Sequence, residues 1–462
     1  MPATLKQVSP QLSIEFEGGQ DTFAPGDTII GRVYRRAHVV TPDAQIKISL
    51  HGRAKSKVVV GSSNNRQTYR SRFALIDPNK SSQVIFSGPL HIGMSERHSW
   101  RFAITIPTHW DHLVTNTQLD GAFVPDDPQL PPTVSTVSAS STGTEGFVEY
   151  YLQANLRVRG AKDKGVHEAI MPFNIYRYLE GPPTVDFKLK KTPLSQHFVQ
   201  TQRLIPGMED AELSRSQRMK KFFGTSSIPS MGFRLEVNVP GVIQLESPET
   251  VPFWLRVTPL WGRTSEVVRN VPQMVKVTGL TLKIRQIADV QGEGTFRWHT
   301  KDSTSDMSIS LTGTLRKKTL EFLSTDNCPP IDIGRALGLR IGPNGAIGPR
   351  TLAPNPILSP NITTFNFKIS HRLKWSLTLE VAGEMIELSH QGVGTDVVVL
   401  LPSDPSGGTF TAPPLATERS ESWIRPPKDE EPPPSFAEVQ KQDEKEAQNS
   451  LAQLEEGASS AV

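Results

Sequence analysis

Four stretches of the chain carry side chains whose types and spacing invite chemistry. His109-Trp110-Asp111-His112 sets two imidazoles three residues apart with a carboxylate between them, a spacing that suits a metal ion. It follows a strand-like run and offers no third ligand, so a pair of loop histidines is the simpler reading. Cys328 is the single cysteine and precedes Pro329-Pro330 without an activating partner, which points to an inert thiol rather than a nucleophile. Arg215, Arg218, Lys220 and Lys221 are interleaved with Met219, Phe222 and Phe223. Such a basic-aromatic face would meet anionic lipid; the competing and simpler reading packs the apolar residues against the neighbouring domain. Finally, Pro432-Pro433-Pro434-Ser435-Phe436 has the composition of a polyproline II recognition peptide, or of a proline-rich spacer.

Catalytic signatures are missing around these stretches. There is no Gly-x-Ser-x-Gly elbow, no phosphate-cradling Gly-x-x-x-x-Gly-Lys loop and no His-Glu-x-x-His pair. Nothing in the sequence asks for an enzyme or a cofactor. One cysteine allows no intrachain disulfide and no cysteine-based metal site, which fits a reducing compartment. The start lacks the apolar core of a signal peptide, and no run reaches the eighteen or so apolar residues of a membrane span. The expectation is a cytoplasmic protein. From Ser420 onward ten Asp/Glu oppose four Lys/Arg, so this stretch carries −6 of a net +3 and the rest carries +9. A mildly basic body favours acidic partners or an anionic membrane surface, and lacks the strong field of a nucleic-acid binder.

The elements that must position these residues are strands. Thirty-eight prolines and 34 glycines in 462 residues disfavour helical bundles. Ile46, Ile48 and Leu50 alternate with polar residues, as do Phe102, Ile104 and Ile106, and Leu152, Ala154, Leu156 and Val158. The rhythm resumes at Phe233, Leu235, Val237 and Val239, at Phe365, Phe367 and Ile369, and at Trp375, Leu377, Leu379 and Val381. Period-two alternation means half-buried antiparallel strands, broken by turns such as Ala24-Pro25-Gly26-Asp27, where Asp27 can cap a backbone amide or join an ionic cluster. The predicted fold is all-β, with two tandem immunoglobulin-like antiparallel sandwiches over 1–180 and 230–402. A connector (181–229) carries a short helix at Met208–Phe223, where acids precede bases and Gly224 follows. Residues near 126–146 and 341–360 are expected to be long surface loops. The Pro/Glu-rich 403–462 is expected to be disordered.

Five motifs in order resemble the α-arrestins of fungi over roughly residues 11–402. They are Phe23-Ala24-Pro25-Gly26-Asp27-Thr28-Ile29-Ile30-Gly31-Arg32-Val33; Ile48-Ser49-Leu50-His51-Gly52-Arg53-Ala54-Lys55-Ser56-Lys57; Trp100-Arg101-Phe102-Ala103-Ile104-Thr105-Ile106-Pro107; Val148-Glu149-Tyr150-Tyr151-Leu152-Gln153-Ala154; and Thr364 to Leu377. The resemblance implies the arrestin fold and a trafficking adaptor that performs no chemistry. Such an adaptor binds transporters or receptors of the plasma membrane and endosomes and recruits a WW-domain, HECT-type ubiquitin ligase to them, promoting their endocytosis. It also implies that Lys220 and Lys221 are candidate ubiquitin acceptors. The family docks its ligase through Pro-Pro-x-Tyr. Here Pro433, Pro434 and Phe436 form the nearest match, and phenylalanine keeps the ring but lacks the phenolic hydrogen bond. A scaffold of the same fold without direct ligase docking is the alternative.

Overall fold

A computed structural model of the chain describes residues 4–404 apart from 62–64, 95, 112–122, 126, 138–142, 160–165, 194, 210–227, 295–296 and 348–356. The connector helix and residues 405–462 therefore lie outside the described residues, as do Lys220, Lys221, Pro433, Pro434 and Phe436. Among the described residues no helix is long and apolar enough to cross a membrane.

The fold is all-β. The first half contains β1 (Ser13–Phe16), β2 (Thr28–Arg35), β3 (Val39–Val60), β4 (Gln67–Ala74), β5 (Ser82–Ile92), β6 (His98–Thr105), β7 (Val134–Val137), β8 (Glu145–Arg159) and β9 (Val166–Ile175). Strands β1, β2 and β6 form one antiparallel sheet, and the other runs β9-β8-β3-β4, with β5 also on β3 and β7 on β8. The apolar positions of the alternating runs meet between the two sheets: Ile29 and Val33 of β2 and Phe102 of β6 pack with Ile46, Ile48 and Leu50 of β3 and Leu152 and Leu156 of β8. Each such side chain contributes about 1.5–3 kcal/mol by leaving water. The turn before β2 is built as its residues dictate. Gly26 takes φ +92°, where a side chain would be strained, and the Asp27 carboxylate accepts the Ala24 amide at 2.7 Å.

The second half repeats the plan with β10 (Ser195–Gln200), β11 (Ser230–Val239), β12 (Trp254–Pro259), β13 (Met274–Glu293), β14 (Trp298–Ser310), β15 (Leu320–Leu323), β16 (Phe367–Val381), β17 (Glu384–Ser389) and β18 (Thr395–Leu400). Strands β10, β11 and β12 form one sheet, and the other runs β18-β16-β13-β14. Phe233, Leu235 and Val257 face Leu282, Leu373 and Leu377 across the core.

Three expectations are corrected. Residues 195–200, assigned to the connector, extend the second sandwich by pairing with β11 from Ser195↔Leu235 to Gln200↔Ser230. The loop expected near 126–146 contains β7, which pairs with β8 from Val134↔Val148 to Val137↔Glu145. The Gly/Pro-rich segment from 341 likewise starts with a small hairpin, Ile341↔Ala346 and Gly342↔Gly345.

The two sandwiches share packed surface. Ala288, Val290, Phe365, Phe367 and Ile369 of the second half belong to the same buried apolar cluster as the first core. Around them the hydroxyls of Ser56 and Ser71 donate to the Gln291 carbonyl, and the Asn366 amide donates to the Ala54 carbonyl at 3.3 Å and to the Ser71 hydroxyl at 3.2 Å. These partners are buried, so leaving any one unmatched would cost about 1–3 kcal/mol. Backbones approach so closely that two glycines are required. A Cβ on Gly292 would meet Tyr69 at 2.8 Å, and one on Gly146 would meet Phe367 at 2.8 Å.

Candidate functional site

From Ala44 to Val58 strand β3 buries its even-numbered residues, so its odd-numbered ones stand together on the opposite face of the sheet. They are Gln45, Lys47, Ser49, His51, Arg53, Lys55 and Lys57. Strand β8 pairs with it from Gln45↔Arg157 to Lys57↔Glu145, adding Arg157, Asn155, Gln153, Tyr151, Glu149, Phe147 and Glu145 to the same face. Strand β4 adds Arg72 opposite Lys55 and Arg70 opposite Lys57. Seven permanent cations thus meet three carboxylates on the same face, Glu145, Glu149 and, opposite Asn155 on β9, Glu168, over thirteen residues of β3, about 40 Å of strand.

Two of the carboxylates are spent internally. Glu149 is fully buried and receives Arg53 and, at 2.9 Å, Lys55. Burial alone would raise its carboxyl, but hydrogen bonds from Lys55, Thr4 and Arg53 outweigh that and hold it below the ordinary carboxylate range. Glu145 takes Lys57 at 3.2 Å. Aromatic rings support the same bases: the Arg53 guanidinium lies 4.8 Å from the Tyr151 ring centre and the Lys55 ammonium 5.3 Å from that of Phe147. Lys47, Arg70, Arg72 and Arg157 have no carboxylate at ion-pair distance among the described residues.

His51 reports the field these cations produce. Its ring stacks on Tyr151 at 4.8 Å and its Nε2 meets the Ser49 hydroxyl at 2.9 Å. Burial, then the charges of Arg53, Arg72 and Lys47, lower its pKa to about 4, so it is neutral at pH 7. Two concavities open on the face. One of about 210 Å³ is lined by Lys47, His51, Asn79, Gln153 and Arg157, the other of about 650 Å³ by Lys55, Lys57, Arg70, Arg72 and Glu293. Opposing like charges across a strand pair costs about 0.2–1 kcal/mol per pair. Setting Lys55 against Arg72 and Lys57 against Arg70 therefore costs stability unless opposite charge offsets it, as Glu149 and Glu145 do in part.

The residues singled out in the sequence do not converge here. His109 hydrogen-bonds the Thr108 hydroxyl at 2.7 Å, Asp111 receives Lys80 at 2.9 Å, and His112 lies outside the described residues. Among the described residues no three His, Cys, Asp or Glu come together to hold a metal ion. Cys328 is buried, with its thiol pKa raised by burial. Asp27 serves its turn. The basic face lies in the polar half of the same alternation, Lys47, His51, Arg53, Lys55 and Lys57, which the apolar pattern alone does not reveal. The chain matches no protein-family model and no curated protein.

Proposed function

We propose that the protein is a cytoplasmic, non-enzymatic adaptor of the arrestin type. Its basic sheet face captures acidic or phosphorylated cytosolic segments of plasma-membrane transporters or receptors. Its proline-rich tail brings a WW-domain, HECT-type ubiquitin ligase to them, so that they are ubiquitinated and internalised from plasma membrane or endosomes. The mechanism is proximity, which raises the effective concentration of ligase at the cargo. One observation carries the reading: among the described residues four cations of a single sheet face have no carboxylate at ion-pair distance, while two of the three carboxylates on that face are already occupied. An anionic peptide supplies the missing charges, and Arg70 and Arg72 can receive phosphate in fork geometry.

The test is a titration with a short serine-rich peptide in phosphorylated and unphosphorylated forms. The phosphorylated form binds more tightly and loses affinity as salt is raised; equal affinity for both forms would sink the reading. The ligase arm is tested separately with a peptide spanning 425–442 and isolated WW domains. Pro434→Ala abolishes binding, and Phe436→Tyr strengthens it by about two- to tenfold through one recovered hydrogen bond. The missing hydroxyl of Phe436 favours a second reading, a sorting or signalling scaffold that shares the cargo face but lacks a direct ligase link. Absence of WW binding by the 425–442 peptide would select it.

A further inference from the structure

A third concavity, of about 330 Å³, lies where the sandwiches meet. Its walls come from both halves: Leu75, Trp110, Asp127 and Arg177 from the first, and Phe365 and Lys368 from the second. One side is apolar. Trp110 meets Phe365 edge to face at 5.1 Å, and Leu75 is buried behind them. The other side is cationic. The Arg177 side chain is 12 % exposed; its Nη2 donates to Asp127 at 2.8 Å and its Nη1 to the Leu130 carbonyl at 3.5 Å, while its buried Nε has no acceptor. A guanidinium offers five N–H donors, so this one keeps unspent capacity. Lys368 lines the cleft from the second half; it stands in register with Asp289 of β13 but forms no ion pair with it.

Among the described lining residues two cations stand against one carboxylate, Asp289 lying across the strand from Lys368, and with the aromatic pair beside them they select an anion with an aromatic body. We propose that the cleft binds a small arylcarboxylate, its ring against Trp110 and Phe365 and its carboxylate toward Arg177 and Lys368. The size agrees, because sites for small organic ligands start near 300 Å³ and pair apolar walls with a few fixed polar groups. The ligand would touch both sandwiches at once, and so it would hold them in their present relation. This site is separate from the basic sheet face and does not rest on the adaptor reading.

Phenylacetate and its uncharged analogue phenylacetamide test the proposal on the full-length protein. Phenylacetate is expected to shift the indole N–H resonance of Trp110 saturably and to raise Tm with concentration, as any ligand of the native state does. Phenylacetamide is expected to bind at least about tenfold more weakly, because it forfeits a charge-assisted hydrogen bond. Lys368→Met removes an exposed side chain and should weaken phenylacetate alone by a similar factor. Arg177→Gln is the stronger perturbation and is read only alongside Lys368→Met, since it also unpairs Asp127. The proposal is overturned if phenylacetate gives no saturable shift of Trp110, if the amide binds as well as the acid, or if Lys368→Met leaves phenylacetate affinity unchanged.

Discussion

The long sheets of the two sandwiches carry similar bases and treat them differently. In the second, Lys283 stands opposite Lys374 and Arg285 opposite Arg372, like charges across β13 and β16 much as Lys55 and Arg72 oppose each other in the first. There the resemblance ends. Asp306 receives Arg285 at 2.8 and 3.1 Å and Lys283 at 2.8 Å, and Asp396 receives Arg372 at 3.0 Å. Among the described residues the first sheet leaves Lys47, Arg70, Arg72 and Arg157 without such partners. Among the described residues three of the four second-sheet bases thus have a carboxylate partner, Lys374 being the exception, so it is counter-charge and not base content that separates the two faces.

Reversing the unbalanced charges should have the largest effect. Arg70→Glu with Arg72→Glu is expected to lower affinity for the phosphorylated peptide by about a hundredfold. The same pair of changes puts opposite charges across β3 and β4, and stability should rise by about 0.2–1 kcal/mol per pair. Arg372→Glu on the second sheet should leave peptide affinity where it was. A loss of equal size from either sheet would end the distinction between them.

The surface shared by the sandwiches is the next place to press. Gly292→Ala forces a Cβ to within 3.0 Å of Tyr69 atoms, its backbone carbonyl included, and backbone cannot swing aside. The expected cost is about 1–3 kcal/mol, read as a lower Tm. Gly262→Ala, with nothing within 4 Å of the new atom, is the control and should change little.

How far all this could be read in advance differs by feature. Strands with many buried positions announced themselves: Ile46, Ile48 and Leu50, or Leu377, Leu379 and Val381, can alternate only if one face is dry. Strand β10 did not, since only Val199 among its six residues is buried and a single apolar contact leaves no period to see. The basic residues were present in the same alternation, but the count of cations per face needs the register. Lys55 meets Arg72 and Phe147 only once β3, β4 and β8 are aligned. The interdomain polar contacts were out of reach, because Ser56 to Gln291 and Ala54 to Asn366 join residues more than two hundred positions apart.

Two histidines give the comparison a titration readout. His51 is lowered to about 4 by burial and by Arg53, Arg72 and Lys47, whereas His371, in the second sheet, is lowered to about 4 by burial alone. Salt screens charges and leaves burial untouched. Raising ionic strength should therefore move the His51 pKa upward and leave His371 in place, as followed by NMR of the ring protons. Both groups have folded pKa values below their unfolded ones, so the unfolded chain takes up protons first. Stability should fall as pH drops from about 6.5 toward 4, with a limiting slope of about 1.4 kcal/mol per pH unit for each group. His51→Gln should remove one proton's share of that slope, measured by denaturant titration at a series of pH values.

The smallest effect is the most informative. If counter-charge is what separates the two faces, removing it from the second should create a weak anion site there. Asp306 is held near pKa 2 chiefly by its hydrogen bond from Arg285, and Asp396 is largely exposed, so both can be changed without opening the core. Asp306→Asn with Asp396→Asn should cost at most about 1 kcal/mol per ion pair, as expected for partly exposed pairs. Made in the Arg70→Glu, Arg72→Glu background, where the first face is silent, the two changes should restore a few-fold of salt-sensitive peptide binding, carried by Lys283, Arg285, Arg372 and Lys374. If none returns while the fold is intact, charge balance is not enough. The concavities beside Lys47 and Arg72, which shape the first face, would then have to supply the rest of the recognition.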